Sequence, residues 1–158
     1  MIRIGHAWDT HKLTPNRKLI LGGVEIESNI GLLGHSDADV VLHAVAESLL
    51  GSLALGDLGT FYPDNSDKTL NMDSKIILKE CYDRVIENGY KLNNVDLTIY
   101  SEVIRIAPVR LKIQESIANI LNVDKTIISV KATTWEKMGF VGRGEAIACE
   151  AVCLVNND

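Results

Sequence analysis

The stretch HSDADVVLHAVAESLLGSLAL, residues 35–55, restricts the fold of this chain more than any other segment. Val40, Leu42, Val45, Leu49 and Leu50 recur at helical spacing, and Ser36 followed by Asp39 resembles an N-cap box with the shorter acid. So apolar a helix needs a covering layer, and the flanking sequence offers strands. IRIGHAWDTH reads as an opening strand, and KLILGGVEI as a hairpin turning through Gly22 and Gly23. VDLTIYSEV, TIISVKATT and AIACEAVCLV read as further strands, with GFVGRGE as a turn-rich connection before the last. DSKIILKECYDRVIENG is a second helix, capped by Asp73 and terminated at Gly89. Pro108 suits the first turn of a third helix running to about Leu121. Helices and strands mix without a regular alternation. The expected class is α+β, a two-layer sandwich of a mixed β-sheet with helices packed on one face, in a single domain over residues 1–158.

A chain of 158 residues can bury a core without a structural metal or disulfides, so a metal here is expected to be functional. The net charge of −5, with no dense Lys/Arg patch, argues against nucleic acid or an anionic membrane face as partner. No apolar run approaches the ~18 residues of a membrane span, and MIRIGH enters strand-like sequence with no targeting signal. Of the three cysteines, Cys149 and Cys153 share a strand face but lie roughly 13 Å apart, beyond disulfide reach. They and Cys81 read as small buried hydrophobes in a reducing compartment, and the expected location is the cytoplasm.

All four histidines fall within the first 43 residues, two of them in GHAWDTH. On a strand, Asp9 and His11 project from one face about 6.6 Å apart, whereas His6 has the opposite parity. His43, inside the first helix, can join them only through long-range folding. Asp, His and His form a donor set that zinc accepts, with a fourth position left for substrate. Other polar groups admit plainer readings. Thr133, Thr134 and Glu136 in KATTWEK could hold phosphate and a hard cation, or could be ordinary strand-end residues. Arg143 in GFVGRGE could meet an anion, although no phosphate-loop pattern is present. Asp57, Gly59 and Asp64 fall in a loop that could cover a site or simply turn.

Taken together, GHAWDTH, GLLGHSDADVVLHAVAESLLGSLALGDLGTFYPD and VKATTWEKMGFVGRGEAIACEAV closely resemble the 2-C-methyl-D-erythritol 2,4-cyclodiphosphate synthase family of non-mevalonate isoprenoid synthesis. The resemblance runs from about residue 2 to 155 in unbroken order. It implies a homotrimer with active sites at subunit boundaries, acting on the cytidine diphosphate compound 4-diphosphocytidyl-2-C-methyl-D-erythritol 2-phosphate. In the family reaction the substrate's own 2-phosphate attacks the β-phosphorus, CMP leaves and a cyclic diphosphate forms. Position by position, the resemblance implies zinc ligation by Asp9, His11 and His43, and phosphate polarisation by His35 and Thr134 with Ser36 as a phosphate contact. It implies that Glu136 holds a second ion, magnesium or manganese, against the diphosphate. It places Asp57, Gly59, Tyr62 and Asp64 over the methylerythritol portion, and Thr133 where a neighbouring subunit meets the nucleotide. Phe140 and Arg143 match residues near the trimer axis, where the family can hold an isoprenoid diphosphate.

Departures from the family pattern concentrate around the base. SEVIRIAP, with Ser101, Arg105 and Ala107, stands where the family wraps cytosine largely with backbone groups; Ile104 replaces a proline and Arg105 a lysine. Trp8, Tyr62 and Trp135 stand where the family has smaller or less polar residues. Two other readings use the same residues: a metal-dependent phosphoesterase in which water attacks, and a non-catalytic trimer that binds a nucleotide or isoprenoid diphosphate.

Overall fold

The computed structural model describes residues 1–63 and 71–158. The chain opens with β1 (Ile2–Pro15), a hairpin of β2 (Leu19–Leu21) and β3 (Val24–Ile26), and β4 (Ile30–Leu32). Then come α1 (Val40–Ser52), the single turn α2 (Leu58–Phe61) and α3 (Ser74–Glu87). β5 (Lys91–Tyr100), α4 (Arg110–Leu121), a 3-10 turn (Lys125–Ile127), β6 (Ile128–Thr133), the single turn α5 (Gly139–Gly142) and β7 (Ala146–Asn156) complete it. The main sheet has the order β4-β1-β7-β5-β6. Its pairs are antiparallel except β5 with β6, which run parallel on either side of α4. The mixed sheet expected of an α+β chain is present.

Alternation along the strands decides the inner face. On β1, Gly5 and Ala7 are buried and Asp9 and His11 half-buried, while Ile2, Ile4 and His6 point the other way and are exposed. On β7, Ile147, Cys149, Ala151, Cys153 and Val155 line the same inner side, opposite β1 residues such as Gly5 and Asp9. α1 lies across β1 and β7, and α3 packs on α1 and α4. The approach of α1 to β1 is close: a Cβ at Gly5 would run into the Ser48 carbonyl oxygen. That contact places the first turn of α1 beside Asp9 and His11. The three cysteines are buried and free.

Several local expectations need correction. α1 is capped by Asp39, not Ser36: the Asp39 carboxylate accepts the Val41 and Leu42 amides, while Ser36 Oγ accepts the Ala38 amide one turn earlier. Ala38 sits at φ 60°, so the backbone between Ser36 and Asp39 is not helical. The same carboxylate also accepts the Gly22 and Gly23 amides at 2.9 and 2.6 Å, tying the hairpin turn to the helix start. Burial pushes the Asp39 carboxyl up to about 6, against the pull of those amides. Pro108 stands just ahead of α4, β5 ends at Tyr100, and GFVGRGE contains the helical turn α5. Asp73 caps α3 as expected, and Gly89 follows its end at φ 80°.

Candidate metal centre and phosphate site

Asp9, His11 and His43 converge. One ligand atom from each lies within 4.8 Å of the others, the single such group of three among the described residues. His11 Nε2 is 2.9 Å from Asp9 Oδ2 and 3.2 Å from His43 Nδ1, and His43 Nδ1 is 3.4 Å from Asp9 Oδ2. The second nitrogen of His11, Nδ1, donates to the Leu33 carbonyl at 3.0 Å. A carbonyl only accepts, so Nδ1 carries a proton; Nε2, facing the cluster, donates to Asp9 when the ring is charged and offers its lone pair to an ion when it is neutral. Burial works against ionisation of Asp9, but hydrogen bonds and charge from His11 and His43 outweigh it and hold the carboxyl well below the usual range. Burial likewise opposes protonation of His11, yet the Asp9 hydrogen bond and charge raise its value above that of an ordinary imidazole. Two nitrogens and an oxygen at this spacing suit a divalent ion with an open position.

The cluster forms one wall of a cavity of about 340 Å³ whose other walls include His35, Ser36, Glu47, Gly59 and Tyr62. The loop carrying His35 and Ser36 is held from behind: the Arg17 guanidinium donates to the Gly34 and Ser36 carbonyls, each at 3.2 Å. A Cβ at Gly34 would press on Ala38 and the His11 ring, so glycine permits the loop to pass this close. Tyr62 commits its hydroxyl to Glu80 at 2.6 Å, and burial together with that bond raises its pKa. Asp57, the N-cap of α2, is exposed and accepts the Thr60 amide and hydroxyl. Asp64 lies outside the described residues.

A second cavity, of about 200 Å³, is lined by Ser101, Arg105, Ala107, Thr133 and Thr134 among others. Ser101 is buried, donates its amide to the Thr133 carbonyl at 3.1 Å and accepts the Ile104 amide on its hydroxyl, so the two strand ends share one mouth. Thr134 Oγ1 donates to Glu136 Oε1 at 2.7 Å, and Glu136 and Lys137 adopt φ of 50° and 63°. Two successive non-glycine residues in that region are a strained turn, which projects Glu136 into solvent.

The YgbB family profile matches residues 2–156. The chain belongs to the YgbB family. The 2-C-methyl-D-erythritol 2,4-cyclodiphosphate synthase of Carboxydothermus hydrogenoformans is 52% identical over 155 residues, covering 98% of this chain and 95% of that protein. Among solved structures, the CDP complex of IspF from Plasmodium falciparum superposes with a TM-score of 0.86 at 37% identity, over 98% of this chain and 95% of that one. The bifunctional IspDF of Campylobacter jejuni superposes with a TM-score of 0.95 at 39% identity; this chain is covered to 98% and spans 42% of it.

In this YgbB chain, then, the residues expected to act together divide between two cavities. Asp9, His11, His35, Ser36, His43, Gly59 and Tyr62 meet in the first, and Ser101, Arg105, Ala107, Thr133 and Thr134 in the second. Asp57, Glu136, Phe140 and Arg143 line neither. Phe140 meets Trp8 and Trp135 with ring centroids 6.3 and 5.7 Å apart, and Arg143 donates to Glu145 at 2.6 Å. The sequence reading did not reach Arg17, Asp37, Glu47 or Ser74. Glu47 had a usable signal, because it lies four residues after His43 on one helix face. Burial raises its pKa, and the negative charges of Asp9 and Asp57 add to the shift.

Proposed function

We propose that this chain is a metal-dependent synthase that converts 4-diphosphocytidyl-2-C-methyl-D-erythritol 2-phosphate to 2-C-methyl-D-erythritol 2,4-cyclodiphosphate and CMP. The observation that carries the reading is the convergence of Asp9, His11 and His43 on the wall of a cavity that also presents His35 and Ser36. Zinc is the ion we assign to these ligands; when bound it supplies a Lewis acid that draws charge from a phosphate oxygen. His35 and Ser36 hold the attacking phosphate against that wall. Gly59 and Tyr62, with Asp57, enclose the methylerythritol portion. Thr134 orients a phosphoryl oxygen, and Glu136 holds a second ion, magnesium or manganese, against the diphosphate. Ser101, Arg105 and Ala107 shape the cytosine pocket, and Thr133 stands at the nucleotide. No side chain is asked to form a covalent intermediate; orientation and charge stabilisation do the work.

The division of these groups between two cavities supports a homotrimer, in which the second cavity of one subunit would complete the first cavity of its neighbour. So does the outer sheet face, where Ile2, Ile4 and Trp8 are 64%, 66% and 43% exposed. Phe140 and Arg143 would then lie toward the shared axis, within reach of an isoprenoid diphosphate. We read residues 1–158 as one such domain, acting in the cytoplasm. Among the described residues no helix is long and apolar enough to cross a membrane.

Incubation with the substrate and analysis of the products tests the reading. CMP with the cyclic diphosphate is the expected result. A linear phosphate would show that water attacks instead, and nucleotide binding without turnover would leave a binding protein. His43→Ala is expected to remain folded and to lose its zinc by elemental analysis; equal zinc in both proteins would remove His43 from the ligand set. A stable, fully active particle of 17.3 kDa by light scattering would exclude the trimer.

A further inference from the structure

We propose that Asp37 and Ser74 form a hydrogen-bond relay with His43 that decides which imidazole nitrogen faces the metal pocket, making Ser74 a positioning residue for metal binding. The inference rests on reading Asp9, His11 and His43 as a metal site.

Ser74 opens α3 and is fully buried. Its Oγ lies 2.9 Å from His43 Nε2, its hydroxyl donates to Asp37 Oδ1, and its amide donates to Asp37 Oδ2 at 3.1 Å. Proton counting then leaves one arrangement. A carboxylate only accepts, and a serine hydroxyl has one proton to give. With that proton committed to Asp37, Ser74 Oγ can only accept from the imidazole. His43 Nε2 therefore carries the ring proton, and the neutral ring keeps a bare lone pair on Nδ1. Nδ1 is the atom that stands 3.4 Å from Asp9 Oδ2 and 3.2 Å from His11 Nε2. Ser36 Oγ lies 3.2 Å from the same Nε2 and accepts the Ala38 amide, so it can share the Nε2 proton without competing for Nδ1.

The two histidines are thus oriented by different means. His11 gives its outer proton to a backbone carbonyl, which no substitution of that residue removes. His43 gives its outer proton to a side chain that is itself held by a second side chain. The relay also spans two helices: Asp37 lies just ahead of α1, Ser74 begins α3, and their packing sets the distance. Outer partners of metal-bound histidines typically govern 10- to 100-fold in metal affinity, about 1.4–2.7 kcal/mol by the tenfold rule.

The test compares wild type, Ser74→Ala and Asp37→Asn, with Ser48→Ala as control. Ser48 is a buried serine whose hydroxyl donates within α1, to the Val45 carbonyl. Zinc affinity is measured by chelator competition. The protonated ring nitrogen of His43 is identified by nitrogen NMR on metal-free protein at about pH 8.5, above the ordinary imidazole range. Ser74→Ala is expected to weaken zinc by about 10- to 100-fold and to reduce the preference for a proton on Nε2, leaving only Ser36 Oγ at 3.2 Å as its acceptor. Ser48→Ala is expected to change neither readout. Asp37→Asn, which releases the Ser74 proton, should move both in the same direction and decides the matter if Ser74→Ala does not fold. A folded relay variant with zinc affinity within about twofold of wild type, or with Nε2 protonation unchanged, overturns the proposal. Wild-type protein that takes up no zinc fails the metal reading instead, and the ring signals still decide the relay.

Discussion

The candidate metal pocket and the rim at Thr133–Glu136 are built on opposite principles. Asp9 and His11 sit on a strand paired with β7 from Ile2 to Lys12, and His43 sits in the first turns of a helix pressed onto that strand. Each imidazole is held at both nitrogens, by the cluster on one side and by Leu33 or Ser74 on the other. Thr133, Thr134 and Glu136, by contrast, are exposed at a strand end and a strained turn, and Thr134 reaches no farther than Glu136. The difference is one of closure. Half-buried donors locked by the core need only an ion to complete them, whereas exposed donors on an open rim need a second surface or a ligand.

The sharpest way to break the comparison is Glu136→Ala. If Glu136 acts only in charge stabilisation, kcat should fall by on the order of 10²–10³ while zinc content and Tm stay at wild-type values. A matching loss of zinc would tie the rim to the pocket within one chain.

Asp39→Ala asks the complementary question of the locked region. Four amides, from Gly22, Gly23, Val41 and Leu42, would lose their acceptor. The expected cost is about 2–4 kcal/mol in urea unfolding, above a simple cap loss because buried donors are left unpaired. A cost no greater than about 0.5 kcal/mol would show that the helix start is not held there.

Acid separates the two regions further. If zinc is the ion held there, it must displace the proton on His11, whose affinity for it is raised by Asp9. Apparent zinc affinity should therefore fall by up to about tenfold per pH unit, beginning above the ordinary imidazole value of about 6.5. In zinc-free protein the linkage has the opposite sense. A raised His11 value stabilises the fold fully below the unfolded imidazole value, and that gain is lost as pH rises through the folded one. Chelator competition from about pH 5 to 8 and zinc-free melting curves report the two trends, and flat profiles would remove His11 from the ligand set.

Arg105→Ala should have the smallest effect. Arg105 is exposed on the second cavity, where backbone groups near Ser101 and Ala107 remain whatever its side chain. A change in kcat/KM of no more than about fivefold is expected, under 1 kcal/mol. A collapse would mean that the nucleotide is read by side chains there.

Much of this was legible in the residues themselves. Period-two alternation placed Asp9 and His11 on one face of β1 and turned His6 away, because strand geometry is set by nearest neighbours. The same local rules located the Gly22-Gly23 turn, the Asp73 cap and the apolar face of α1. Tertiary structure alone decided what those faces meet. The choice of Asp39 over Ser36 as cap depends on a left-handed Ala38 and on hairpin amides seventeen or so residues away. The entry of His43 into the cluster depends on the close seat of α1 at Gly5, and its ring orientation on a serine from a different helix. Spacing along the chain states which side chains share a surface. Which surfaces close on one another is settled by packing between residues far apart in sequence, and there the ligand geometry is made.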